Sequence, residues 1–291
     1  MATPVLNEVV TRRATPEDSA ACGEICYRAF TTINREHNFP PDFPHPDIAI
    51  GFLTMLFSSS DFYCVVAEVN GRTVGSNALD ERSPIMGIGP ITVDPEVQNA
   101  GMGRALMRAV MDRAEERGAA GVRLVQAAFH NRSLSLYAKL GFDVREPLSC
   151  MQGQPRKHNV PGYDVRPAEL RDLDECNALA RQVHGFARSR ELEAATRSGT
   201  ARVVERAGRI AGYASDLGFF GHTTTESNAD LQALIASAEA FSGPGILVPS
   251  RNTSLLRWCL SNGLRVIQPM TLMSIGLYNE PAGAWLPSFL F

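Results

Sequence analysis

Three segments of the first half of this 291-residue chain recur in the second half in the same order. That repetition restricts the fold more than any other feature of the sequence. The stretch "VVTRRATPEDSAACGEICYRAF", from Val9 to Phe30, resembles "YDVRPAELRDLDECNALARQVHGF", from Tyr163 to Phe186. Each reads as a short strand carrying an arginine, followed by an acid-rich helix start. "VVAEVNGRTVGS" (Val65 to Ser76) matches "RVVERAGRIAGY" (Arg202 to Tyr213), with Gly71 opposite Gly208 and Gly75 opposite Gly212. Two β-rich runs around an Asn-Gly or Ala-Gly turn predict a hairpin in both places. "NRSLSLYAKLGF" (Asn131 to Phe142) finds a weaker echo in "NTSLLRWCLSNGL" (Asn252 to Leu264). Three echoes in one order imply a tandem duplication, and the length suits two domains. "QGQPRKHNVPGYD", Gln152 to Asp164, has two prolines, two glycines and no periodicity, so it reads as a linker. The expected division is a first domain at 1–153, a linker at 154–162 and a second domain at 163–291.

Composition narrows the possible partners. With 44% hydrophobic and 20% charged residues, the chain resembles an ordinary globular protein. Its net charge of −3 and the absence of any basic run argue against nucleic acid or a membrane surface as a partner. The six cysteines contain no CxxC pair and have no histidine at metal-site spacing, so buried reduced thiols and no metal are expected. Asn7, Glu8, Arg12 and Arg13 interrupt any apolar signal core at the N-terminus, and the best uncharged run, Ile48 to Ser60, is short of the roughly 18–20 residues of a membrane span. A cytoplasmic location is the expectation.

Within the first copy the order reads as strand, helix, the proline-rich loop "NFPPDFPHPD", helix, and a hairpin over about Phe62 to Asp80. A strand near Ile88 to Val93 follows, then a helix from about Met102 to Arg117 closed by Gly118. Leu106, Val110 and Ala114 are stacked along one face of that helix. A strand "VRLVQA", a helix from about Ser133 to Leu140 closed by Gly141, and a final pair of strands complete an α/β unit with a mixed sheet.

The stretch "PITVDPEVQNAGMGRALMRAV", Pro90 to Val110, sets two glycines between a β-branched run and a helix. A turn of this kind, from Gln98 to Arg104, presents unpaired N–H groups at the positive end of a helix dipole and favours an anion. A Cβ at Gly101 or Gly103 would stand between those amides and a phosphate, although a tight turn alone also calls for glycine. A Walker loop is excluded because no Gly-Lys-Ser/Thr ending is present, and a dinucleotide fingerprint because Leu106 stands where a small residue is needed.

"VDPEVQNAGMGRALM" followed by "NRSLSLYAKLGF" resembles the GNAT superfamily of N-acetyltransferases. The family's acetyl-CoA loop, Gln/Arg-x-x-Gly-x-Gly/Ala, falls on Gln98, Gly101 and Gly103, and its later Asn, Tyr and Gly-Phe fall on Asn131, Tyr137 and Gly141-Phe142. The resemblance covers roughly Val9 to Gln152. It implies two tandem GNAT-like domains of α/β (α+β) class, each a mixed, mostly antiparallel twisted sheet flanked by helices. It also implies acetyl-CoA as co-substrate, with the pyrophosphate held by the loop Gln98, Asn99, Ala100, Gly101, Met102, Gly103 and Arg104. Ile91, Thr92 and Val93 would pair with the pantetheine arm beyond a bulge or edge at Pro90, and Asn131 and Ser133 would lie at the cofactor. Asn131 would equally serve to cap its helix. Tyr137, with a phenol pKa of about 10 against about 8.5 for a thiol, would give the leaving thiolate its proton.

The attacking amine must lose a proton, and Asp80 and Glu81, at the end of the hairpin, are the nearest carboxylates on this reading. Neighbours on a strand point to opposite faces, so only one would face the site. Glu36, His37, Asp42 and His45 lie where the family often binds acceptors. The second copy departs from the pattern: "TTTESNADLQALIASA" has no glycine and puts Glu226 and Asp230 at the helix entrance, where they compete with phosphate. The expected activity is acetyl transfer from acetyl-CoA to a primary amine of a small acceptor. A non-catalytic acyl-CoA sensor and an enzyme for another acyl-CoA are the alternatives.

Overall fold

In this computed structural model the described residues are 9–98, 101–155 and 160–290. They form two compact units, one of Met1–Glu81 with Met86–Val122 and the other of Arg82–Ile85 with Arg123–Phe291.

The first unit follows the expected order through β1 (Val9–Arg13), α1 (Ser19–Glu36), α2 (Pro46–Ser58), β2 (Phe62–Val69), β3 (Arg72–Asp80), β4 (Ile85–Ile88), β5 (Thr92–Val93) and α3 (Met102–Glu116). Its strands lie in the order β1-β2-β3-β4, all antiparallel, and β5 adds to β3 beyond β4. The single strand expected near Ile88 to Val93 is thus two, broken at Gly89-Pro90, because proline cannot donate to the ladder. Met102, Leu106, Val110 and Ala114 of α3 are buried, as the spacing along one face required. Gly118 follows at φ +67 and ends the helix. Cys22, Cys26 and Cys64 are buried free thiols, and burial pushes Cys22 up to about 12.

The second unit begins with β6 (Gly121–Ala127), α4 (Asn131–Lys139) and β7 (Asp143–Gln152) of the first copy. It continues through β8 (Tyr163–Pro167), α5 (Leu173–His184), α6 (Ser189–Ser198), β9 (Arg202–Arg206), β10 (Arg209–Ala214), β11 (Thr223–Thr225), α7 (Asn228–Ser237), β12 (Ile246–Pro249), α8 (Thr253–Ser261), β13 (Arg265–Gly276) and β14 (Ala284–Leu286). One group of strands runs β6-β13-β7-β12 and the other β14-β11-β10-β9-β8. The final pair of strands expected for the first copy is corrected here. β7 is one ten-residue strand, and its partners on both sides, β12 and β13, come from the second copy. Compactness therefore does not follow the copies. Part of the proposed linker, residues 156–159, lies outside the described residues.

The duplication is visible in side-chain detail. Arg12 of β1 donates two hydrogen bonds to Asp18 (2.8 and 2.7 Å) and one to Glu68 of β2 (2.9 Å). Arg166 of β8 donates two to Asp172 (2.7 and 2.9 Å) and one to Glu205 of β9 (2.8 Å). In both, the aspartate closes a 3₁₀ turn that starts the next helix, and the guanidinium holds its carboxyl below the ordinary aspartate range. Both hairpins turn through two left-handed residues, Asn70-Gly71 and Ala207-Gly208, as the sequence predicts. A Cβ at Gly75 would meet the Thr92 carbonyl at 2.5 Å, and one at Gly212 would meet Thr225 Cγ2 at 2.4 Å. The paired glycines thus let the next strand approach closely in each copy.

Candidate active site

The turn between β5 and α3 is anchored by Asp94, whose side chain is 0% exposed. Its Oδ1 accepts from the Glu96 N–H (3.2 Å), and its Oδ2 is bound by Arg28 of α1 (3.1 Å) and by Arg72 of the hairpin. The Asp94 N–H donates to the Val74 carbonyl at 2.8 Å. Gln98 turns its side chain back and donates to the Val93 carbonyl at 3.3 Å. Gly101 is the N-cap of α3 at φ +90, a conformation that L side chains rarely adopt. A Cβ built there would meet no atom of the described residues within 4 Å, its chain neighbours apart. Glycine is thus required by the backbone, and the open space beside it is where a phosphate would need room.

The first bond to close α3 is Ala105 N–H to the Gly101 carbonyl at 3.0 Å, so the amides of Met102, Gly103 and Arg104 precede the helical ladder. The Met102 side chain is buried in the core, Gly103 is half-buried and Arg104 is exposed. Thr92 Oγ1 is buried with no hydrogen-bond partner among the described residues. Val93 pairs with Gly75 and Thr92 with Ser76, while Ile91 precedes the strand. Asn99 and Ala100 lie outside the described residues. A glycine helix cap, an orphaned hydroxyl and a strand separated from β4 by the break at Pro90 fit the pyrophosphate and pantetheine of acetyl-CoA. Asp94 was not singled out by the sequence reading, although an Asp-Pro-Glu cap signature announces it.

The two carboxylates at the end of β3 have different partners. Asp80 is buried at the strand terminus. Glu81 accepts from Arg113 of α3 at 2.7 and 3.4 Å and lies 3.7 Å from Arg117. In the loop between α1 and α2, Asp42 accepts from Asn34 (3.0 Å), His45 caps α2, and His37 Nδ1 lies 2.9 Å from the Ile33 carbonyl. Phe43 packs against Phe30 and Phe52. Each of these loop polars has a structural partner.

In the second unit, Asn131 is the first residue of α4, exposed, and His130 rather than Asn131 occupies the cap position. Ser133 Oγ lies 3.0 Å from Gln126 Oε1 of β6 and 2.9 Å from the His130 carbonyl. Gln126 Nε2 is buried with no partner among the described residues, a second orphan that the sequence reading missed. Tyr137 is buried against Phe142, at 6.3 Å between ring centroids, and burial raises its phenol. The group is therefore fully protonated at neutral pH.

The corresponding strand, turn and helix of the second copy are filled by the protein itself. Ser227 caps α7 and its Oγ lies 2.5 Å from Asp230 Oδ2. Arg206 donates to Asp230 (2.9 Å) and to Glu226 (2.8 Å), while Arg209 donates twice to Glu226 (2.5 and 2.7 Å). Asp230 is 0% exposed. Trp258 of α8 stands where Tyr137 stands in α4, so the hydroxyl is also lost.

Residues 27–142 match the model of the acetyltransferase (GNAT) family. An uncharacterised N-acetyltransferase of Methanocaldococcus jannaschii is 33% identical over 88 residues, which is 28% of this chain and 39% of that one. The match thus spans about two fifths of that relative's length. A putative acetyltransferase from Pyrococcus horikoshii shares the fold with a TM-score of 0.72 and 19% identity, over 97% of this chain and 95% of that one. A tandem GNAT protein from the clavulanic acid biosynthesis pathway does so with a TM-score of 0.57 and 15% identity, over 97% of this chain and all of its own. No helix among the described residues is long and apolar enough to cross a membrane. Residues 27–142 thus form an acetyltransferase (GNAT) family domain, and the fold of the chain is that of a tandem GNAT protein.

Proposed function

We propose that the protein is a cytoplasmic N-acetyltransferase that moves the acetyl group of acetyl-CoA to a primary amine of a small acceptor, using the machinery of its first copy. The observation that carries this reading is Gly101, held left-handed at the start of α3 with open space beside it. Acetyl-CoA supplies, when bound, a thioester whose acyl carbon is open to an amine. The amides from Met102 to Arg104 bind the pyrophosphate, with Asn99 and Ala100 completing the loop. Gln98 holds that loop against β5. Backbone groups of Ile91, Thr92 and Val93 bind the pantetheine arm, and an amide at the break by Pro90 stabilises negative charge on the thioester oxygen.

Asp80 takes the proton of the incoming ammonium, directly or through water. Glu81, whose oxygens accept from Arg113, is the alternative base. Tyr137 Oη gives a proton to the leaving thiolate. Asn131 and Ser133 orient the cofactor from the start of α4.

The test is incubation with acetyl-CoA and a broad panel of amines, including amino acids, drug-like amines and peptide N-termini. Turnover is read by thiol release and the product by mass spectrometry. Acetylation of some amine at a rate that falls in Gly101→Asp supports the reading. CoA binding in calorimetry with no amine acetylated would instead identify an acyl-CoA sensor, and turnover only with a longer thioester would identify another acyltransferase.

A further inference from the structure

Each copy places a carboxylate just after the strand that joins its hairpin, and an arginine of that hairpin binds it. Val93 pairs with Gly75 and Thr225 with Gly212, so Asp94 and Glu226 stand at the same place in the two copies. Their N–H groups donate to matching carbonyls, Asp94 to Val74 (2.8 Å) and Glu226 to Ala211 (2.9 Å). Arg72 follows the left-handed Gly71 and binds Asp94; Arg209 follows the left-handed Gly208 and binds Glu226 (2.5 Å). This pair belongs to the fold, because the second copy keeps it without a glycine turn.

The second cation on that carboxylate differs. In the second copy it is Arg206, from the same hairpin (2.8 Å). In the first it is Arg28, from α1, whose Nη2 lies 3.1 Å from Asp94 Oδ2 and whose Nη1 lies 3.6 Å from Glu96 Oε1. Counted from the helix-start aspartates Asp18 and Asp172, the place of Arg28 is taken in α5 by Gln182, an exposed side chain that cannot form an ion pair. The tie from helix to turn thus accompanies the glycine turn. It also has a charge to offset: Asp94 and Glu96 set two carboxylates just ahead of a helix start that favours an anion, and like charges there would repel one.

We propose that Arg28 is a positioning residue for the cofactor. One guanidinium spans both carboxylates, fastens the turn to α1 and offsets the charge that would oppose a phosphate at the amides of Met102 to Arg104. Arg28 acts through the turn and needs no contact with the cofactor. Arg72 keeps the turn folded, as Arg209 does in the second copy, and Arg28 makes it receptive. The proposal rests on the reading of the first copy as the one that binds CoA.

The test uses the intact protein, with CoA as the probe. Wild type, Arg28→Gln, Arg28→Lys and Arg72→Gln are compared by calorimetry and by Tm. Arg28→Gln reproduces the situation of the second copy and should weaken CoA binding about three- to tenfold, with Tm held within about 2 °C because the ion pair is half-exposed. Arg28→Lys keeps the charge and should recover most of the affinity. Arg72→Gln should lower Tm by more than Arg28→Gln does. No CoA binding in wild type would overturn the CoA reading and this proposal with it. If wild type binds CoA, three results would overturn the proposal alone: unchanged affinity in Arg28→Gln, a fall in its Tm as large as that in Arg72→Gln, or affinity in Arg28→Lys no better than in Arg28→Gln.

Discussion

At residues 92–104 and again at residues 223–230 the chain passes from a strand through a turn into a helix, and the two passages have been put to opposite uses. In the first, Gly101 leaves the helix start without a side chain, and Thr92 keeps a buried hydroxyl without a partner among the described residues. In the second, Ser227, Glu226 and Asp230 fill the same position, and two arginines from the neighbouring hairpin neutralise the carboxylates. A helix N-terminus attracts negative charge in either case. The difference is that the second has its charge built into the chain, whereas the first leaves room for the anion of the proposed cofactor. A built-in anion contributes to folding stability at all times, whereas an open one contributes only when ligand is bound.

The largest expected effect comes from closing the first entrance. Gly101→Asp sets a carboxylate and a strained residue where phosphate would sit, and it should abolish CoA binding with the fold retained. Calorimetry should then go from one CoA per chain in wild type to none. Two sites per chain in wild type would break the comparison.

Next comes the hydroxyl contrast between α4 and α8. Tyr137→Phe should lower turnover by about 10²- to 10⁴-fold with CoA affinity nearly kept, while Trp258→Phe should leave turnover unchanged. Full activity in Tyr137→Phe would reduce Tyr137 to packing.

Opening the second entrance should cost stability and gain no ligand. Asp230→Ala leaves the cap and Arg206 without their buried partner, and a loss of about 2–3 kcal/mol is expected from the denaturant midpoint. Acquisition of a second CoA site by this variant would show that the carboxylates alone had closed it.

A smaller effect is expected from pH, and it concerns the second unit. His184 and His222 are buried, and desolvation, their largest influence, lowers both below the ordinary histidine range. The folded protein therefore keeps them neutral where the unfolded chain takes up protons. Stability should be unaffected above about pH 6.5 and should fall below it by at most about 1.4 kcal/mol per pH unit for each histidine. His222→Gln should reduce that slope, and an unchanged slope would remove His222 from the account.

Much of the fold could be read from residues close together in the sequence. The hairpin turns at Asn70-Gly71 and Ala207-Gly208, the apolar stripe of α3 and the paired helix starts at Asp18 and Asp172 all depend on local geometry, and all are present. The strand partners of β7 were not legible. Alternation along a strand reports which face is buried but not which segment pairs with it, and these partners lie from 95 residues (Met151 to Ile246) to 131 residues (Asp143 to Ser274) away. The left-handed turn at Gly101 was legible because a glycine between a β-branched run and a helix is a local signature. The cluster of Arg188, Glu191 and His222 was not, because "ARSRELEAA" reads as an exposed, charged helix start.

The position of β7 between β12 and β13 has a consequence for synthesis. Arg145 and its partner Ser274 are separated by 129 residues. At about 5–20 residues per second, β7 leaves the ribosome roughly 5–25 seconds before β13 can reach it. Until β12 is made both of its edges are open to pairing with any other strand, including β7 of a neighbouring nascent chain, and one stays open until β13 follows. The duplication thus made strands of the second copy necessary for protecting one of the first copy's own. Chains arrested before about residue 265 should depend strongly on chaperones, and a stop codon late in the message should be nearly as damaging as an early one.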